Sequence, residues 1–196
     1  MNRGFYRRLR TFLTPFYRLF RPADVSGQEH IPTEGGFILC ANHVHWRDPL
    51  YLAVYLPQRH YTYLAKAELF KNPIADRILG DKGLGGIPIS RGHSDINAVR
   101  TALNVIKEGH SLGIFPQGTR SPDNSPTPML NGVSMIAMRA GVPIIPAYIG
   151  APYRLFKRIP VRVGPPVDIS DLGKKYDAAT LSEVTHRIET AIWSMR

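Results

Sequence analysis

The chain has 196 residues, enough for one domain with a sizeable core, and its 43% hydrophobic content is that of a globular protein rather than a disordered one. A single cysteine, Cys40, excludes an internal disulfide and a cysteine metal cluster, and no apolar run approaches the roughly 20 residues of a membrane-spanning helix. The formal charge of +10 leaves three kinds of partner to weigh: nucleic acid, an anionic membrane or an anionic substrate.

Residues 1–22 carry Arg3, Arg7, Arg8, Arg10, Arg18 and Arg21 and no acid. Phe5, Leu9, Phe12, Leu13, Phe16 and Phe20 recur at helical spacing beside these arginines. An aromatic face next to a basic face is the pattern of a helix lying in a bilayer interface. The alternative is a helix that packs its apolar face on its own domain. Pro15 is expected to kink or split it. The segment lacks an uninterrupted apolar core and a small-residue cleavage site, so no secretory leader is expected. The organisation read from this is a basic amphipathic, membrane-associating segment over 1–22 and an α/β domain over 23–196.

Residues 22–36 read as a connection with a short extended stretch near Val25. Residues 36–40 form a short apolar strand. A helix is expected over 49–56, with Asp48 as its cap and Pro49 at its first position. A strand over 61–65 is followed by a helix over 68–79 that restarts at Pro73, then a strand over 86–90. Ile96, Val99, Leu103 and Ile106 mark one face of a helix that starts near Ser94 and stops at Gly109. Residues 111–115 are a strand, and 121–128 a loop rich in proline and serine. Residues 133–140 are a small-residue helix ended by Gly141. Strands are expected over 144–149 and 161–163. Leu181, Val184, Ile188 and Ile192 mark a terminal helix. Strands alternating with helices predict a mixed, largely parallel central sheet flanked by helices. In such sheets ligands gather at the carboxyl ends of the strands. The polar clusters Asn42-His43, Arg91 and Gln117-Gly118-Thr119-Arg120 each directly follow a predicted strand.

The first cluster runs Asn42-His43-Val44-His45-Trp46-Arg47-Asp48. A histidine can take a proton near neutral pH, and a carboxylate on its other ring nitrogen fixes the tautomer. On one continuous helix, residues five apart diverge by roughly 140°. His43 and Asp48 can therefore meet only if His43 sits on the loop after a strand and Asp48 starts the next helix. The competing reading of Asp48 is a helix cap alone. His45 and Trp46 read as packing or rim residues. A metal site from His43, His45 and Asp48 lacks a further clear ligand. There is no Gly-x-Ser-x-Gly elbow, and Cys40 lies inside a strand with its side chain toward the core. A nucleophile supplied by the substrate, a hydroxyl deprotonated by His43, fits better. The second cluster, Gly85-Gly86-Ile87-Pro88-Ile89-Ser90-Arg91, and the third, Phe115-Pro116-Gln117-Gly118-Thr119-Arg120, each put an arginine on a turn after a strand. With Lys66 they could clamp a phosphate. Val142-Pro143-Ile144-Ile145-Pro146 reads by itself only as a buried strand.

These four stretches, in this order, resemble the four motifs of the glycerolipid acyltransferase family that includes bacterial 1-acylglycerol-3-phosphate acyltransferases. They match its Asn-His-x-x-x-x-Asp, Gly-x-Ile-x-Ile-x-Arg, Phe-Pro-Glu-Gly-Thr-Arg and Val-Pro-Ile-x-Pro blocks, and the likeness runs over about 25–169. The resemblance implies that His43 is the general base and Asp48 its partner. Arg91, Arg120 and Lys66 would hold the acceptor's phosphate, Gly118 and Thr119 would shape the pocket around the glycerol, and Asn42 and Gln117 would join them on the substrate side. It further implies an acyl-CoA or acyl carrier protein donor, a lysophospholipid acceptor, an anionic membrane surface at the cytoplasmic face held in monotopic fashion, and no nucleic acid. No cofactor or metal is needed. The expected acceptor is 1-acyl-sn-glycerol 3-phosphate and the product phosphatidic acid. Two residues depart from the pattern. Gln117 stands where the family usually has glutamate. Leu130 stands where a lysine is common, two residues before Gly132. Three rivals stay open: another lysophospholipid acceptor, an inactive lipid-binding relative, and a nucleic-acid-binding domain. The last has no helix-turn-helix, zinc-finger or RNA-recognition signature behind it.

Overall fold

The computed structural model describes residues 2–90, 95–173 and 176–196. Seven strands form one sheet in the order β1-β7-β6-β2-β5-β3-β4. They are β1 (Ala23–Ser26), β2 (Phe37–Ala41), β3 (Tyr61–Lys66), β4 (Ile87–Ile89), β5 (Ser111–Ile114), β6 (Ile144–Ile149) and β7 (Ile159–Val163). The helices are α1 (Arg3–Phe20), α2 (Asp48–Tyr55), α3 (Pro73–Leu79), α4 (Ile96–Lys107), α5 (Gly132–Ala140) and α6 (Ala178–Trp193). Every strand pair but β6–β7 is parallel. The mixed, largely parallel sheet expected from the alternation is the one present.

The central strands read as unbroken apolar runs because both faces of the sheet are covered. Along β2, Phe37, Leu39 and Ala41 pack with α1 and α2, while Ile38 and Cys40 pack with α4, α5 and α6. Strand β6 divides the same way, Ile145, Ala147 and Ile149 to one face and Ile144 and Tyr148 to the other. This two-residue alternation is the strand period expressed as two hydrophobic layers.

Local signals account for the helix ends. Asn72 caps α3 by accepting from Ile74 and Ala75 N–H, Asp95 caps α4 through Ala98 N–H, and Asp177 caps α6 through Thr180 N–H. Gly141 closes α5 in the left-handed region at φ 61°. The helix expected over 68–79 is two pieces, a 3₁₀ turn at Ala67–Lys71 and α3, divided at Asn72 because its side chain caps the second piece.

Helix α1 is continuous, and Pro15 does not split it. It docks through a stripe of Tyr6, Leu13 and Tyr17 rather than through the phenylalanines. The Tyr17 ring meets Tyr51 of α2 at 6.0 Å, and Arg10 donates to the Pro57 carbonyl. Phe12, Phe16 and Leu19 face outward. The docking expected of one alternative is thus made by the tyrosine stripe, and the phenylalanine face is left exposed. Among the described residues, no helix is long and apolar enough to cross a membrane.

Beneath α1, the His60 ring lies 3.6 Å from the Tyr6 ring and its Nε2 bonds the Leu84 carbonyl at 3.3 Å. Burial pushes this imidazole down from 6.5 to about 4. The unfolded chain therefore takes up a proton there before the folded one does. Stability that is full above about pH 6.5 is lost as pH falls toward 4. His60→Gln, which cannot titrate, should reduce the drop in thermal midpoint between about pH 7.5 and about pH 5. Equal drops in variant and wild type would show that His60 does not carry this dependence.

Candidate active site

Asp48 opens α2 and is wholly buried. Its Oδ2 accepts from His43 Nδ1 at 2.7 Å, Val44 N at 2.7 Å and His45 N at 2.8 Å, and its Oδ1 accepts from the Tyr153 hydroxyl at 2.6 Å. A buried carboxylate needs donors of this number. The cap reading of Asp48 is corrected: Arg47 holds the cap position without a side-chain bond, and the carboxylate turns back onto the loop of residues 43–45. Pro49, expected at the first helical position, is the second residue of the helix, which begins at Asp48. With Nδ1–H committed to Asp48, the neutral His43 ring keeps its lone pair on Nε2. Burial, reinforced by the Asp48 charge, holds the Tyr153 hydroxyl well above its usual range, so Tyr153 remains a donor.

The loop after β5 holds His43 from the other side. The ring stacks on Phe115 at 4.2 Å and 21°, and Phe115 stacks on Tyr63 at 5.5 Å and 11°. Gly113 makes room for this stack, since a Cβ there would lie 2.1 Å from the Tyr63 ring. His43 N–H donates to Gln117 Oε1 at 2.6 Å, and its carbonyl accepts from Ser121 N at 2.8 Å. Gln117 Nε2 in turn donates to Thr127 Oγ1. The turn needs Gly118, which sits at φ 68° with Leu130 against it. His43 is thus fixed by its ring nitrogen, its ring face and both backbone groups.

Two residues expected on the substrate side, Asn42 and Gln117, are buried and hydrogen-bonded within the protein. Asn42 is buried, donating from Nδ2 to Asn124 Oδ1 and Ile149 O, and accepting at Oδ1 from Ile149 N at 2.7 Å. It ties the end of β2 to the end of β6. Gln117 is likewise buried, with its amide spent on His43 and Thr127 rather than on a pocket. Gly118, Thr119 and Arg120 form the rim of the turn, where Thr119 and Arg120 are exposed. Lys66 ends β3, next to β5, and its ammonium pairs with Glu68 at 3.4 Å. Arg91 lies outside the described residues. The ends of β2, β3, β4 and β5 share one sheet edge, as their parallel registers require.

Sequence reasoning missed Tyr153, Ser121 and Thr127. No local spacing signals them, since Tyr153 is 105 positions from Asp48. Only the adjacency of β2 and β6 brings their following loops together. Cys40 is buried, and burial pushes its thiol up, which leaves it inert as a nucleophile. His45 is pushed down by burial and by Arg47 and stacks toward Tyr153 at 5.1 Å, a packing position.

A family model described as Acyltransferase matches residues 22–150. A 1-acyl-sn-glycerol-3-phosphate acyltransferase of Bacillus subtilis (strain 168) is 29% identical over 171 residues, which span 83% of this chain and 84% of that protein. One of Streptococcus pneumoniae (strain ATCC BAA-255 / R6) is 32% identical over 177 residues, 86% of this chain and 64% of that protein. The crystal structure of the 1-acyl-sn-glycerophosphate (LPA) acyltransferase PlsC from Thermotoga maritima superposes with a TM-score of 0.68 at 27% identity, over 97% of this chain and 76% of that one.

Two substitutions at Gln117 distinguish a brace from a binding group. Gln117→Ala should lower kcat roughly tenfold or more by loosening His43, with little change in acceptor KM. Gln117→Glu should retain most turnover, since its carboxylate can still accept from His43 N–H while Thr127 donates in return. A selective rise in acceptor KM for Gln117→Ala would return this side chain to the substrate pocket.

Proposed function

The chain belongs to the acyltransferase family, and from that membership we propose that it moves a fatty acyl group from a thioester to the sn-2 hydroxyl of 1-acyl-sn-glycerol 3-phosphate, giving phosphatidic acid. The observation that carries the reading is the 2.7 Å bond between His43 Nδ1 and a buried Asp48, which leaves Nε2 basic at the sheet edge where ligands gather. Nε2 takes the proton of the acceptor hydroxyl as its oxygen attacks the thioester carbonyl. The tetrahedral intermediate collapses, the carbon–sulfur bond breaks, and the thiolate receives the proton from the imidazolium. Donors aimed at the developing oxyanion lower this barrier. Neither Asp48 nor Tyr153 transfers a proton; Asp48 holds the ring and Tyr153 holds Asp48.

Arg120 is assigned to the acceptor's phosphate. Its guanidinium is exposed beside the His43 loop and has no ion pair among the described residues. Lys66 is assigned to the same anion, exchanging Glu68 for phosphate, and Arg91 is kept with them on the motif alone. The donor is acyl-CoA or acyl carrier protein. The protein acts at an anionic membrane surface as a monotopic protein of the cytoplasmic leaflet. This rests on the outward Phe12, Phe16 and Leu19 of α1 beside its arginines. Leu130 favours a second acceptor class. It puts an apolar side chain against Gly118 where the family commonly carries lysine, so lysophospholipids with other headgroups belong in the acceptor panel.

An acyl-transfer assay with both donors tests the reading. His43→Ala should lower turnover by roughly 10²-fold or more while the protein stays folded. Arg120→Ala should raise KM for the phosphorylated acceptor and leave that for the donor nearly unchanged. Near-wild-type turnover by His43→Ala would refute the general-base role, and equal losses for both substrates would make Arg120 structural.

A further inference from the structure

The loop between β6 and β7 holds Tyr153 half-buried against the core and, two and three residues later, pushes Leu155 and Phe156 into solvent. Their side chains belong to a set of large exposed apolar residues: Leu155 is 56% and Phe156 65% exposed, beside Phe16 at 55%, Leu19 at 63% and Phe12 at 78% on α1. The two elements are joined. Phe156 N donates to the Phe20 carbonyl at 2.9 Å, and the rings of Phe20 and Phe156 are 5.5 Å apart. Phe16 continues the row at 4.7 Å from Phe20. The result is one apolar ridge across two elements more than a hundred residues apart in sequence.

Two independent features distinguish this ridge from chance exposure. Phe156 sits at φ 60°, a region that bulky residues rarely occupy and that glycine or asparagine would fill without strain. The fold would be served better by another residue there. The flanks are also basic: Arg154, Lys157 and Arg158 are exposed, and residues 151–167 contain no acid, like residues 1–22. An apolar ridge flanked by cations matches an anionic bilayer, whose headgroups meet the cations and whose acyl boundary takes the apolar side chains.

We propose that Leu155 and Phe156 form a second membrane-inserting element that seats with α1 in an anionic bilayer. The proposal extends the membrane reading of α1 given above and rests on it. It also orients the protein. Arg21 donates to the Tyr153 carbonyl at 3.1 Å, so the end of α1 and this loop meet beside the Asp48 dyad. A bilayer touching both therefore lies on the side from which a lipid acceptor reaches His43.

The test uses the full chain and vesicles of equal phosphatidylglycerol and phosphatidylcholine. Leu155→Ser with Phe156→Asn should weaken vesicle co-sedimentation roughly tenfold or more. Its thermal midpoint should not fall, because asparagine suits the left-handed backbone. Its turnover on 1-acyl-sn-glycerol 3-phosphate presented as monomers should match wild type. A second variant, Phe12→Ser with Phe16→Ser, reads the α1 contribution alone. If the α1 variant loses vesicles and the loop variant does not, the loop proposal is overturned while the membrane reading of α1 stands. If wild type ignores the vesicles, both fall. Loss of turnover on monomers in the loop variant would also overturn it, by making the loop part of the site's scaffold. So would a wild-type dimer that the loop variant dissolves with no change in vesicle binding.

Discussion

The buried carboxylate of Asp48 is the constraint around which the site is built. Removing such a charge from water costs several kcal/mol unless donors surround it. Here four donors do so, from the His43 ring, the Val44 and His45 backbone and the Tyr153 hydroxyl. Each makes a separate structural demand. The two backbone N–H groups require the loop after β2 to coil over the start of α2. The tyrosine requires the loop after β6 to lie beside it. The histidine is then oriented as a consequence of satisfying the carboxylate, with Nδ1 bonded to Asp48 and Nε2 left to carry the lone pair.

The sheet makes this arrangement possible at modest cost. Parallel strands deliver their following loops to one edge, so β2, β5 and β6 supply His43, Gln117 and Tyr153 to a single place. The interior of each loop is then spent on polar closure. Asn42 joins β2 to β6, and Gln117 with Ser121 joins β5 to β2. What remains exposed is the rim of the turn after β5, with Thr119 and Arg120. The same turn thus carries buried braces at Gln117 and Ser121 and exposed side chains between them at Thr119 and Arg120.

This division explains how much could be read from the sequence. The strand–helix alternation, the parallel sheet and the His43–Asp48 pairing follow from local patterns, because hydrophobic period and a five-residue spacing limit the geometry strongly. The burial of Asn42 and Gln117 and their bonds to β6 and to His43 did not follow, because an amide reads the same whether it faces a ligand or a neighbouring strand. Tyr153 was invisible for another reason: its partner is distant in sequence, and an aromatic in a loop carries no periodic signal. In α1 the phenylalanine face was the more conspicuous, yet the tyrosine stripe docks. Tyr6 and Tyr17 bury their rings against the domain, while Phe12 and Phe16 stay outside.

The central claim is that Asp48 holds His43 in the tautomer that leaves Nε2 basic. The ¹⁵N chemical shifts of the His43 ring, recorded where the ring is neutral, test it most directly. The account predicts a protonated Nδ1 and a bare Nε2 in the wild type, with the two tautomers mixing in Asp48→Asn. A wild-type ring protonated at Nε2 and bare at Nδ1 would contradict it, because such a nitrogen cannot accept the proton of an attacking hydroxyl.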